Sequence, residues 1–360
     1  MKSSLVVFVF IALAAFCWGT YAPVLQLGKK AMIEKPAAAT DEAAPAAPAA
    51  ITGGKLAIPM FQFLCVGLAY FVIAVLVPGI WLALRGEKGH WSVMGSVWSL
   101  AAGAAGAVGA LGMILALGQG GKPIYVAPLV FGCAPVVNTF YTIITTKNFK
   151  LSPFFIAGLL LVIAGAVTVL VFRPGHHGPA GEILPAAALF MVGCYVALTA
   201  LSWGVYGPVL HQGQSKMAGS RLRPLICVGV AYFLIAVLIP AAMLMQSGMP
   251  AWNVSGTIWS LGGGTAGAVG ALGIIMAFNF GGRPIYVMPL VFGCAPVINT
   301  FTSMLTSKDP IDAISPIFYA GLIVVAVGAV CVLVFAPKGG HGPKPAAPQP
   351  DKKSAEPVKS

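Results

Sequence analysis

The chain has 360 residues, of which 58% are hydrophobic and only 8% are charged, and its formal net charge is +12. A soluble domain usually carries about 25% charged residues. This composition therefore disfavours a soluble enzyme, a disordered chain and a nucleic-acid-binding protein. The basic residues lie in short gaps between long apolar runs, as in loops that flank membrane spans. We expect an all-α membrane protein.

Ten apolar runs are long enough to cross a bilayer, because a spanning helix needs about 20 mostly apolar residues. The runs do not alternate apolar and polar residues as the strands of membrane barrels do. We predict ten transmembrane helices, over Ser4–Leu25, Ala57–Leu84, Ser96–Leu117, Pro123–Thr145, Pro153–Phe172, Leu184–Leu210, Pro224–Met245, Val254–Phe278, Pro284–Thr306 and Pro316–Phe335.

The chain contains an internal repeat. Segments 120–147 and 281–308 are identical at 20 of 28 positions. Trp18 matches Trp203, 185 positions later, whereas Cys65 matches Cys227, 162 positions later. The change of spacing locates an insertion of 23 residues between the first two spans of the first copy, where the sequence is almost all Ala and Pro. Such a composition is typical of an extended, flexible loop.

The repeat predicts the organisation of the whole chain. The first five-helix repeat covers residues 1–172 and includes the Ala/Pro-rich loop insertion at about 28–56. A linker follows at 173–183, and the second five-helix repeat covers 184–336. The tail, 337–360, is rich in Pro, Lys and Ala, so we expect it to be basic and disordered.

The number of spans in each copy indicates how the copies are oriented. Five is odd, so the two copies must be inverted relative to each other in the membrane. Inverted repeats recur in secondary transporters, because two related halves can expose one midplane site to either side. Lys and Arg number 14 in the segments on the N-terminal side and 7 on the other side. This excess favours both termini in the cytoplasm. We expect an integral protein of the bacterial inner (plasma) membrane.

The pattern of helices and dipeptides resembles the drug/metabolite transporter superfamily. It consists of ten helices in two inverted repeats, a Trp-Gly in each first helix, and Ala-Pro inside each fourth helix, at Ala134-Pro135 and Ala295-Pro296. The resemblance implies a fold of two helix bundles around a central cavity, and a protein that moves small metabolites or amphiphilic drugs across the membrane. The long Ala/Pro-rich loop departs from the compact pattern of that superfamily and suggests a divergent branch.

The fourth and ninth spans contain candidate substrate-binding residues. A proline in a helix leaves the carbonyl four residues earlier without its N–H partner, and at membrane depth such a carbonyl needs a partner or a wet cavity. The candidates are these prolines and the polar residues one turn later: Pro135, Asn138 and Thr139, with Pro296, Asn299 and Thr300. They can line a polar pocket, or the prolines can shape packing while the polar groups bond to neighbouring helices. We weight the two interpretations equally.

Aromatic residues supply the other candidates for the substrate site. Tyr70 and Tyr232 lie in mid-span, where a buried hydroxyl needs a partner. Trp18 with Tyr21, and Trp203 with Tyr206, are candidate cavity walls or gates, although aromatic residues near the end of a span more often belong to the interfacial belt. Spans three and eight carry glycine at every third position, which favours close packing of helices.

The absence of charged residues from the spans bears on mechanism. No predicted span contains Asp or Glu, and buried carboxylates commonly relay protons in proton-coupled pumps. We therefore expect a uniporter, exchanger or weakly coupled carrier of a neutral or zwitterionic solute.

The seven cysteines show no metal-binding spacing, and catalytic motifs are lacking. We expect no cofactor, no metal and no enzymatic activity; the partners are the solute and the lipid bilayer, with no nucleic acid and with a homodimer left open.

Two hypotheses for the function follow. The first is a secondary transporter that moves a small organic solute by alternating access. The second is a membrane interaction or sensor protein that retains a transporter fold without transport, and whose loop and tail bind a partner. A cavity filled by side chains favours the second hypothesis.

Overall fold

A computed structural model describes residues 2–33, 54–146, 152–172, 184–306 and 315–335. These residues form ten continuous helices and no strand. The helices are α1 (Lys2–Ile33), α2 (Ala57–Arg85), α3 (Val93–Gly118), α4 (Pro123–Thr146), α5 (Pro153–Val171), α6 (Ala186–Lys216), α7 (Leu222–Ser247), α8 (Val254–Asn279), α9 (Pro284–Thr306) and α10 (Pro316–Val334).

Seven of these helices, α1 to α4 and α6 to α8, are long and apolar enough to cross a membrane. The apolar stretches of α5, α9 and α10 are shorter within the described residues. Large apolar side chains such as Phe8, Leu84 and Met245 are more than half exposed, which suits contact with lipid and not with water. The fold is that of an all-α membrane protein.

Helices α1 and α6 extend about two turns beyond their predicted spans, to Ile33 and Lys216. Each extension is polar and is held by a neighbouring helix. The Lys29 ammonium donates to the backbone carbonyl of Leu117 at the end of α3. Gln214, the residue of α6 that matches Lys29, donates to a backbone carbonyl of α8 at 3.2 Å. Hydropathy misses such helix ends because they are polar.

Three predicted segments lie wholly or mostly outside the described residues. They are the linker at 173–183, the tail at 337–360 and most of the insertion at 28–56. The first six residues of that insertion belong to α1, and its last three described residues precede α2.

Helices of the two sequence repeats interleave. Helix α1 packs against α8 and α9 of the second repeat, and α6 makes the matched contacts with α3 and α4 of the first. Helix α2 likewise packs on α8, and α7 on α3. Matched helices also meet directly, α4 with α9 and α5 with α10. The core is therefore built jointly by both copies.

The starts of matched helices use the same local chemistry. The Ser92 hydroxyl and the Asn253 carboxamide oxygen accept backbone N–H bonds at the starts of α3 and α8, at 3.3 and 2.8 Å. Ser152 and Ser315 do the same for α5 and α10. Such caps satisfy N–H groups that have no partner in the first helical turn.

Helices α2 and α7 cross each other beside matched π-helical turns, Phe71–Leu76 and Phe233–Leu238. Each turn lies just before a proline, Pro78 or Pro240, which lacks an N–H and crowds the carbonyl four residues earlier. A π turn shifts the hydrogen-bonding pattern by one residue. The backbone N–H of Val77, which follows Phe71–Leu76, donates to the carbonyl of Val72, five residues earlier. Such π turns occur frequently at functional sites.

Candidate functional site

A cavity lies among α1, α2, α3, α6, α7 and α8, and both copies of the repeat contribute equally to it. Its eight lining residues are four matched pairs: Trp18 and Trp203, Tyr21 and Tyr206, Tyr70 and Tyr232, and Gly106 and Gly267. Every lining residue lies in the same cavity as its counterpart from the other repeat, so this site is one of the places where the two repeats meet.

Each tryptophan of the cavity reaches a glycine-lined face of the other repeat. The indole N–H of Trp18 donates to the Gly267 carbonyl at 3.4 Å, and that of Trp203 donates to the Gly106 carbonyl at 3.2 Å. A Cβ atom on Gly270, one turn further along α8, would overlap the Trp18 indole. The glycines therefore provide the space that the indoles occupy.

The two indoles form part of an aromatic cluster. The ring centroids of Trp18 and Trp203 are 6.1 Å apart, and the ring planes differ by 21°. Phe292 lies 6.1 Å from Trp18 and Phe131 lies 5.7 Å from Trp203, and the two phenylalanine rings are 6.1 Å from each other. These separations lie within the range of favourable aromatic contacts.

The four tyrosines of the cavity differ in their hydrogen bonding. Tyr70 and Tyr232 stack face to face with centroids 3.6 Å apart, and their side chains hydrogen-bond to each other. Tyr21 and Tyr206 are each 3% exposed, and their hydroxyls have no hydrogen-bond partner. An unsatisfied buried hydroxyl costs about 1–3 kcal/mol. These two hydroxyls therefore gain from a ligand or from water.

The cavity is small, with a volume of about 20 Å³. A single water needs about 10–15 Å³ of such space, so no organic solute fits in this conformation. The lining residues carry no charged side chain. No group of three or more His, Cys, Asp or Glu among the described residues is arranged to hold a metal ion.

Six of the candidate residues lie together in this cavity: Trp18, Trp203, Tyr21, Tyr206, Tyr70 and Tyr232. Because α1 and α6 are longer than their predicted spans, both tryptophans lie inside the helices and not near an end. Tyr21 and Tyr206 follow these tryptophans with the spacing Trp-x-x-Tyr, and residues three apart share a helix face.

The candidate asparagines, Asn138 and Asn299, are buried but do not line the cavity. The Asn299 amide donates to the Pro123 carbonyl at 2.8 Å. Pro123 is the first residue of α4, so this bond joins α9 to the start of its matched helix.

The candidate threonines and prolines of α4 and α9 also lie outside the cavity lining. Thr139 and Thr300 donate to the carbonyls of Pro135 and Pro296, and both distances are 2.9 Å. Each bond runs four residues back within one helix, a pattern that satisfies the hydroxyl locally and often bends the helix.

A polar cluster outside the cavity lies in the connection between α2 and α3. The Glu87 carboxylate accepts bonds from the Ser220 hydroxyl at 2.6 Å and from the backbone N–H groups of Arg221 and Leu222 at 2.8 and 3.1 Å. The Arg221 and Arg223 guanidinium groups lie 3.0 and 3.6 Å from it. Burial raises the Glu87 pKa, but the hydrogen bonds together outweigh it, so the pKa is below its ordinary value. Glu87 thus ties this connection to the start of α7.

No known protein family and no curated protein matches this sequence. Solved structures do match its fold. One of them, described only as the crystal structure of a protein, has a TM-score of 0.52 and 18% sequence identity and covers 93% of this chain and 97% of its own. At that identity the likeness concerns the fold alone. Fold and site define an all-α membrane protein with a small aromatic cavity between two sequence repeats.

Proposed function

We propose that the protein is a secondary transporter that moves a small neutral or zwitterionic organic solute by alternating access, with the architecture of the drug/metabolite transporter superfamily. The observation that carries this proposal is the cavity lined by four matched residue pairs. Many secondary transporters place their site between two repeats, because the copies can exchange conformations around it.

The proposal includes ten membrane crossings in two inverted five-helix repeats. Contacts between helix ends are compatible with it. Lys29 bonds to the end of α3, and its counterpart Gln214 bonds to α8. If successive helices cross the membrane in opposite directions, the ends of α1 and α3 lie on one side and the ends of α6 and α8 on the other. Matched contacts then occur on opposite faces, as inversion demands.

The contacts between repeats suit relative movement. Glycines face the tryptophans and tyrosines of the other repeat along α3 and α8, so the facing surfaces have few side chains that interlock. Small residues let helices approach closely without deep interdigitation. In this proposal the present structure is the closed state, and the cavity enlarges when α1 or α6 moves away from the opposing glycines.

The second hypothesis, a protein that keeps this fold without transport, has one observation in its favour. The six aromatic side chains that line the cavity leave it a volume of only about 20 Å³. The two hypotheses differ in whether a more open state exists and whether a solute crosses. Crosslinking that captures a stoichiometric protein partner in native membranes, without solute flux, supports the second.

Flux into proteoliposomes tests transport directly. The purified full chain is reconstituted and supplied with labelled neutral and zwitterionic metabolites. We expect saturable flux of at least one solute. A Cβ atom at Gly106 or Gly267 would lie 3.0 or 2.9 Å from a ring carbon of Tyr232 or Tyr70. Gly106→Ala and Gly267→Ala should therefore lower flux at least tenfold.

The matched control for this experiment is Gly193→Ala in α6, because a Cβ atom there meets no atom within 4 Å. This variant should retain the parental flux. Absence of flux for every solute, with folded protein verified by its unfolding transition, contradicts the proposed function.

A further inference from the structure

The lining of the central cavity leaves two side chains with unused hydrogen-bonding capacity. The indole N–H groups of the tryptophans bond to carbonyls of the opposing glycines, and Tyr70 bonds to Tyr232. Tyr21 and Tyr206 alone among the lining side chains have buried hydroxyls without a partner. A ligand that supplies a hydrogen-bonding group recovers the cost of about 1–3 kcal/mol carried by each hydroxyl.

The geometry of the indoles favours a flat ligand. The Trp18 and Trp203 centroids are 6.1 Å apart and their planes are within 21° of parallel. A flat molecule between two rings needs about 3.5 Å on each side, hence about 7 Å in total. The indoles must therefore move until their planes are about 7 Å apart to admit a flat body, whereas a puckered or branched body needs a larger opening.

The charge of the lining favours an uncharged ligand. No lining residue is charged, so an ionised group would lose its hydration without gaining an opposite charge. Burial of an unpaired charge is far more costly than burial of a hydrogen-bonded neutral group.

We propose that the central cavity binds a small, flat, uncharged solute whose edge carries a hydrogen-bonding group. The flat body lies between Trp18 and Trp203, and the edge bonds to the hydroxyls of Tyr21 and Tyr206. This inference rests on the proposed function and names its substrate class. It also assigns Tyr21 and Tyr206 as the residues that select the solute.

Equilibrium binding of labelled benzamide to the full chain in lipid nanodiscs tests this inference, because benzamide is flat, neutral and hydrogen-bonding at one edge. Three competitors each remove one property: cyclohexanecarboxamide is not flat, benzoate is charged, and toluene has no hydrogen-bonding group. We expect each competitor to bind at least tenfold more weakly than benzamide.

Variants locate the bound ligand. Tyr21→Phe and Tyr206→Phe should each weaken benzamide binding about threefold to tenfold, and the double variant should no longer distinguish benzamide from toluene. Both variants remove an unpaired buried hydroxyl, so the unfolding temperature should stay equal or rise. A merely structural role predicts a fall in that temperature. Tyr195→Phe in α6, outside the cavity lining, is the matched control and should bind benzamide as the parent does.

The outcomes separate this inference from the proposed function. The inference is wrong if benzamide fails to bind, if a competitor binds as tightly, or if the phenylalanine variants bind benzamide like the parent. If it fails in any of these ways while an aliphatic solute is transported, the proposed function stands. If benzamide binds as expected and no solute crosses the membrane, the assigned site stands and transport does not.

Discussion

The roles of Tyr21 and Tyr206 depend on the helices of the other repeat that face them. Their sequence context was visible, since each follows a repeated tryptophan by three positions. The lack of a hydrogen-bond partner was not visible, because it depends on which helices of the other repeat face them. The asparagines show the opposite case: the repeat singled out Asn138 and Asn299, and in the structure the Asn299 amide joins two helices.

The candidate asparagines give a prediction at the residue scale. Asn299→Ala removes the bond to the Pro123 carbonyl, so we expect a loss of about 1–3 kcal/mol in unfolding stability. Thermal unfolding in detergent measures this loss, and proteoliposome flux per folded molecule measures the effect on transport. The asparagines remain predicted site residues; if Asn138→Ala and Asn299→Ala both transport at the parental rate, that prediction is wrong.

At the scale of elements, span length was the most predictable quantity. Apolar run length fixed most helix bounds to within a few residues, because the bilayer sets the length of a crossing. Apolar run length did not predict the polar ends of α1 and α6, since Lys29 and Gln214 are stabilised by carbonyls of neighbouring helices. It did not predict the π turns either. A proline predicts a disturbed helix, but the sequence alone does not distinguish a kink from a π turn.

The crossing of α2 and α7 gives a prediction at this scale. A Cβ atom on Gly67 would lie 2.6 Å from the Ala236 carbonyl oxygen, and that backbone atom cannot move aside as a flexible side chain does. Gly67→Ala should therefore separate the helices and cost about 1–3 kcal/mol in unfolding stability.

The same helix supplies the control. Gly79 also lies in α2, but a Cβ atom there meets nothing within 4 Å. Gly79→Ala should leave the unfolding temperature unchanged or raise it slightly, because alanine is the better helix former. Equal unfolding temperatures for the two variants would show that the crossing tolerates a side chain.

At the scale of the whole molecule, the duplication was predictable and the interleaving was not. Repeated segments such as 120–147 and 281–308 are visible in one sequence. The packing of α1 on α8 and of α6 on α3 depends on contacts between residues far apart in the chain, which periodicity does not encode. The sequence also did not indicate the role of Glu87, whose counterpart after α7 is the uncharged Met249.

Glu87 gives a prediction of pH dependence. Its pKa is lowered in the folded protein, so its contribution to stability is complete above the ordinary glutamate pKa. That contribution is lost as the pH falls through the lowered pKa. Glu87→Gln should cost about 1–3 kcal/mol at pH 7, and the difference from the parent should vanish in acid.

Thermal unfolding of both proteins between pH 7 and pH 3 measures this dependence. Lys88→Gln is the control, because Lys88 is adjacent and exposed, and it should unfold like the parent at each pH. A stability difference between the Glu87→Gln variant and the parent that persists undiminished at pH 3 would contradict the assigned role of the carboxylate.

The stack of Tyr70 on Tyr232 at 3.6 Å has an evolutionary consequence. In an ancestral homodimer of half-length chains, one mutation would have altered both partners of such a contact at once. After gene fusion, a mutation alters only one, and the unchanged twin must accommodate it. Pairs that touch each other should therefore diverge slowly, while pairs that bond to different helices, such as Lys29 and Gln214, are free to acquire different chemistry.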